Sequence, residues 1–168
     1  LVAVLLLSLQ YAATPARVPG RWDYRAPVKL DTVLEAIRWK ETRGHAYKVG
    51  ADGERSAYQI MPYVLDEYNR SHRTNFTYHQ LVSNDLIARR VAAWALLWNY
   101  WRFIHLDDEH LRIVYAVSAY NNGYSRPMKG IIKYVYVQDV IPETFAHVTN
   151  RYGVRWKGKR LLQLKGVK

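Results

Sequence analysis

The stretch Asn84–Ile104 constrains the fold more than any other part of this chain. Its apolar residues Leu86, Ile87, Val91, Trp94, Leu97, Trp98 and Trp101 fall on nearly every side of a helix. A helix that is apolar nearly all round belongs in the middle of a domain. Ser83 reads as its N-cap. The three tryptophans recur at helical spacing and so read as core rather than as a platform for a ligand.

A central helix needs others to cover it, and the flanking sequence supplies them. Leu30, Val33, Leu34 and Ile37 form one stripe at helical spacing, with Asp31 as a candidate cap. Pro62 opens a short helix to about Asn69, and a smaller one is expected over His79–Val82. Asp107–Tyr120 reads as a helix with acids in its first turn and Gly123 after its end. Pro127–Gln138 and Pro142–Tyr152 read as two more, the second with Pro at its first position. From Arg43 to Arg55 the helical pattern is lost, and Gly44, Gly50, Asp52 and Gly53 mark turns. The expected fold is mainly α, with one small irregular hairpin between residues 44 and 58.

The ends differ from this middle. Leu1–Leu9, extended by Tyr11–Ala13, is an apolar run of about a dozen residues, short for a membrane span and suited to a signal-peptide core. Residues 1–16 are therefore expected to be a leader or membrane anchor, with membrane association through residues 1–13. Residues 17–29, rich in Pro, Arg and Gly, read as a linker. Residues 30–152 form the expected domain. Residues 153–168, with Arg155, Lys157, Lys159, Arg160, Lys165 and Lys168, read as a frayed basic tail.

The 168 residues carry 25 basic and 14 acidic side chains, a net charge of +11, which implies an anionic partner. No nucleic-acid reader motif accompanies the charge, so a nucleic-acid binder is disfavoured. The chain has no cysteine, which excludes disulfides, thiolate metal sites and a thiol nucleophile. Its six histidines lack metal-ligand spacing, and no metal or other cofactor is expected.

Glu41 is the residue most in need of an explanation. It continues the Leu30–Ile37 stripe and ends a helix, where the dipole disfavours a carboxylate. Apolar surroundings act in the same direction. Both effects favour the protonated acid, the form that glycosidic cleavage requires of its proton donor. Downstream come Ser56-Ala57-Tyr58-Gln59-Ile60-Met61-Pro62, then Ser118-Ala119-Tyr120-Asn121-Asn122-Gly123, then Ile141-Pro142-Glu143-Thr144-Phe145-Ala146-His147-Val148.

In this order and spacing, the segments resemble the soluble-lytic-transglycosylase family of the lysozyme superfamily. That family has a catalytic Glu followed by Ser, then Gly-Leu-Met-Gln-Ile-Met-Pro, then Ala-Tyr-Asn-Ala-Gly, then Pro and Glu-Thr-x-x-Tyr-Val. The resemblance covers roughly residues 30–152. It implies a lysozyme-like fold, Glu41 as general acid/base, and Gln59, Tyr120 and Asn121 around the sugar. Glu143, in the late motif, reads as structural. Thr42 stands for the family's Ser and keeps its hydroxyl. Ser56, a further candidate sugar contact, stands where the family has Gly, and Tyr58 replaces Met, offering a face on which a sugar ring can stack.

The resemblance implies cleavage of peptidoglycan glycan strands at the MurNAc–GlcNAc bond by a single carboxylate, leaving 1,6-anhydroMurNAc ends. A hydrolase of the lysozyme type is the alternative, with Glu54 or Asp52 as second carboxylate. A weakly active wall-binding or virion component that keeps the fold is a further one. The expected setting is the envelope, periplasm or exterior, anchored or released, or a phage particle. A monomer is expected.

Overall fold

The computed structural model of the chain describes residues 28–123 and 125–167. The expected leader or anchor, and the linker as far as residue 27, lie outside the described residues. No helix among the described residues is long and apolar enough to cross a membrane.

Helix α1 (Leu30–Thr42) buries Val33, Leu34 and Ile37, the stripe read from sequence. Its N-cap is Lys29 rather than Asp31. Asp31 lies in the first turn, where its carboxylate pairs with Arg89 at 2.9 Å. Helix α2 (Pro62–His72) starts on its proline and α3 (Tyr78–Ser83) on a Thr77–Gln80 capping box. Helix α4 (Asp85–Arg102) is the long apolar one. Its cap is Asn84, whose side chain accepts from the amides of Leu86 and Ile87, so Ser83 closes the preceding helix instead.

Helix α5 (Glu109–Asn122) starts at the Asp108 cap and packs along α4, with every residue from Ile113 to Ala119 buried. Gly123 ends it with φ +75°. These two helices form the centre of the core. Helix α8 (Pro142–Tyr152) covers α5 from the other side.

Two expectations fail. Residues 127–138 are not one helix. Ser125–Met128 forms a single turn, α6, and Gly130 then breaks the chain at φ +68°. A two-residue strand, β1 (Ile131–Ile132), leads into α7 (Tyr134–Val140). The supposed tail is also ordered. Strands β2 (Val154–Gly158) and β3 (Leu161–Leu164) form a hairpin, and β3 pairs antiparallel with β1 in a sheet of order β1-β3-β2. Its alternation decides this: Leu162 and Leu164 are buried, while the cations of β2 face solvent. Charge dominated the composition of this segment and masked a two-residue apolar period. The fold is thus mainly helical with one small antiparallel sheet, and the 44–60 loop adds only isolated bridges, Val49 to Arg55 and Arg55 to Ile60.

Candidate active site

Glu41 sits in the last turn of α1, half-buried, directly before the left-handed Arg43 that ends the helix. Its neighbour Thr42 is buried, and the Thr42 hydroxyl donates to the Ala57 carbonyl at 3.0 Å. That bond ties the loop 43–60 back onto the helix end. The Lys48 ammonium adds a second tie, donating to the Glu41 main-chain carbonyl at 3.1 Å.

Three side chains from two helices approach the Glu41 carboxylate. From α5, Asn121 Nδ2 donates to Oε1 at 3.4 Å. Also from α5, the Tyr120 hydroxyl donates to the Tyr58 carbonyl at 2.9 Å, which joins the helix to the loop. From α7 comes the Tyr136 hydroxyl. Burial pushes both phenols well above the ordinary tyrosine range, and the negative charge of Glu41 adds to this. Tyr136 leans toward Glu41 without reaching full hydrogen-bond geometry, so it counts as a neighbour of the carboxylate rather than a partner. Both phenols are therefore neutral at neutral pH.

The loop presents Gln59. Its amide Nε2 donates to the carbonyls of Ser56 (3.0 Å) and Lys48 (3.3 Å), and its backbone is left-handed at φ +48°. Gly50 makes room for this arrangement. A Cβ there would lie 2.0 Å from Glu54 Oε2 and 2.7 Å from Gln59 Oε1.

Gln59 and Tyr120 also line a groove of about 500 Å³ between α2 and α4. Met61 and Tyr63 form its α2 wall, and Trp94, Trp98, Asn99 and Arg102 its α4 wall. Trp94 and Trp98 lie 5.3 Å apart by ring centroid, and the Arg102 guanidinium stands over Trp98. The sequence reading placed these tryptophans wholly in the core. Trp94 is buried, but both rings border the groove, because α4 is apolar on more sides than its helical neighbours cover. Leu86, counted in the same pattern, is 78% exposed at the start of the helix.

Two candidate sugar contacts are displaced by the structure. Tyr58 is fully buried, and its hydroxyl accepts from Arg89, which Asp31 and Glu35 hold in place. Its ring has no face open to a sugar. The Tyr-for-Met exchange therefore adds a polar anchor inside the fold, not a stacking surface. Ser56 is also buried, at φ +71°, with its hydroxyl accepting from the Tyr58 amide. A glycine would adopt that backbone without strain, and Ser replaces that freedom with a local hydrogen bond.

The two loop acids are placed differently from Glu41. Glu54 Oε2 accepts from the Asp52 amide at 3.0 Å and packs against Gly50. Asp52 is exposed. Among the described residues neither has a hydrogen bond to Glu41. Glu143 is exposed in the first turn of α8, where its charge suits the helix dipole. No group of three or more His, Asp or Glu side chains among the described residues is placed to hold a metal ion.

A mainly helical, lysozyme-like fold with a half-buried carboxylate where α1, α5 and α7 meet is the class these features define. Comparison with solved structures agrees. The chain is similar to an inactive glutamate-to-glutamine mutant of the lytic transglycosylase Slt from Pseudomonas aeruginosa, with a TM-score of 0.50 at 23% identity over 71% of this chain. It spans 20% of that protein's length. No family model matches the sequence, and no curated protein does.

Proposed function

We propose that this protein cleaves peptidoglycan glycan strands as a lytic transglycosylase acting in the cell envelope or outside the cell. The observation that carries the reading is the convergence of Asn121, Tyr120 and Tyr136 on one half-buried carboxylate, Glu41. The Slt-like fold supports it, since that protein is a lytic transglycosylase.

In this reading Glu41 protonates the glycosidic oxygen between MurNAc and GlcNAc. The bond to the anomeric carbon breaks, and the substrate's own N-acetyl group supports the positive charge that develops. Glu41, now a carboxylate, takes the proton of the MurNAc C6 hydroxyl. That oxygen closes onto the anomeric carbon and gives a 1,6-anhydro end. One carboxylate suffices, and no cofactor takes part. The engagement of Glu54 with the Asp52 amide favours this over a two-carboxylate hydrolase.

Gln59 and Tyr120 line the groove and serve as sugar contacts, together with Trp98. Mass spectrometry of muropeptides released from purified walls tests the reaction. Anhydro ends are expected. Reducing ends would mean a hydrolase, and no soluble product a wall-binding protein.

A further inference from the structure

Asn121 stands between two charges. Its Nδ2 faces Glu41 Oε1 at 3.4 Å, and its Oδ1 accepts from Lys133 Nζ at 2.5 Å. An ammonium has protons to donate and no lone pair to accept with. The Asn121 oxygen must therefore face Lys133, which leaves the amide NH2 facing Glu41. With Lys133 removed, the amide is free to turn, and its oxygen can then accept from the protonated carboxyl of Glu41. Lys133 is itself well fixed. Its backbone amide donates to the hydroxyl of fully buried Ser118 at 3.2 Å, and it is the N-cap residue of α7. None of the sequence motifs includes it.

We infer that Lys133 is a positioning residue for the acid, orienting Asn121 and stabilising the negative charge that Glu41 acquires when its proton leaves. The inference rests on the reading of Glu41 as proton donor. Lys133 keeps its own proton throughout; the proton that moves passes from Glu41 to the glycosidic oxygen.

Among the described residues, the other cations and phenols near Glu41 do not duplicate this role. On α1, Lys40 is paired with Asp139 of α7. From the loop, Lys48 binds the Glu41 main-chain carbonyl rather than its carboxylate. Tyr120 on α5 and Tyr136 on α7 are held neutral by burial. Lys133 is the cation that reaches the carboxylate through a hydrogen-bonded side chain.

The test is the pH dependence of kcat/KM on a soluble glycan fragment for the native protein, Lys133→Met, Lys133→Arg and Glu41→Gln. Loss of a positive charge favours the protonated acid. The descending alkaline limb should therefore move to higher pH in Lys133→Met. The stabilised anion is lost at the same time, so kcat should fall about tenfold while KM changes less than about twofold. Lys133→Arg keeps the charge and should keep the limb in place. If Lys133→Met does not fold, Lys133→Gln gives the same readout with a neutral polar side chain. An unmoved limb beside an inactive Glu41→Gln overturns the inference and leaves the function intact. An active Glu41→Gln overturns the reading of the acid itself.

Discussion

Two of the non-helical segments among the described residues, the loop 43–60 and the β2–β3 hairpin, are built on opposite plans. The loop 43–60 is held by polar atoms: the Thr42 hydroxyl on the Ala57 carbonyl, Glu54 on the Asp52 amide, and Gln59 on the Ser56 and Lys48 carbonyls. Three of its non-glycine residues, Arg43, Ser56 and Gln59, have left-handed backbones. The β2–β3 hairpin is held by a strand ladder and by the buried side chains of Leu162 and Leu164. The loop uses its polar side chains to fix its own shape next to Glu41. The hairpin fixes its shape with leucines and leaves its cations free. Damage to the loop should therefore appear mainly in catalysis, and damage to the hairpin mainly in stability.

The largest expected stability effect lies in the hairpin. Leu162→Ala removes a side chain that is 2% exposed and should cost about 2–4 kcal/mol in denaturant unfolding. Activity per folded molecule should stay within about twofold. Deleting residues 154–168 removes both buried leucines and should cost more. A chain that loses them and melts as before would break the comparison, because the segment would then be a tail after all.

Gly50→Ala is the converse case. Its new Cβ would displace the ends of two flexible side chains, Glu54 and Gln59, rather than backbone. Stability should fall by no more than about 1 kcal/mol. Glycan cleavage should fall about tenfold, because Gln59 must leave its position in the groove. Equal losses in both would mean that the loop is a structural element like the hairpin.

Smaller effects follow from charge. Lys157→Glu with Lys159→Glu leaves Leu162 and Leu164 in place and reverses two exposed charges. Binding to intact walls should weaken a few-fold at low salt, and the gap should close as salt rises. Turnover on a short soluble glycan should be unchanged.

The seam between α5 and α8 provides a pH-dependent control. Burial, opposed mainly by its negative neighbours, holds the His110 pKa below the usual imidazole value, and stacked His147 acts in the same direction as burial. A depressed histidine favours the neutral form in the folded protein. Its stabilising contribution is complete above the unfolded value of 6.5 and declines as pH falls through the folded value. At Asp108 burial is outweighed by the Leu111 amide, the Tyr152 hydroxyl and the Arg151 charge, so its carboxyl is held below the usual 3.8. That contribution is present above this pH and is lost in stronger acid. Denaturant midpoints should therefore drop slightly between pH 7 and 5, and His110→Phe should flatten that part of the curve.

Much of the helical frame was legible in the sequence because it is written in apolar spacing and proline. The stripe of α1 and the prolines opening α2 and α8 were enough to place those elements. The sequence reading took Ser83 as the cap of α4, and the hydrogen bonds choose the adjacent Asn84. Residues 127–138 read as helix because they are apolar, and the left-handed Gly130 that breaks them is a lone glycine in sequence.

The site was legible to the extent that it reused familiar motifs. Asn121 reaches the Glu41 carboxylate, and Gln59 and Tyr120 line a groove. Tyr58 misled, because its partner Arg89 is 31 residues away in the chain. Lys133, Tyr136 and Trp98 carry no motif. They are brought to the site by the way α4 and α7 pack, which no local pattern expresses.

The central claim is that the chemistry belongs to Glu41. Glu41→Gln keeps the shape and removes the proton. Release of muropeptides from walls, measured beside a thermal melt and a wall-binding assay, tests it most directly. The account predicts a loss of at least about 10²-fold in release, with melting and binding essentially those of the native protein. Release at near-native rate from the folded variant would contradict it.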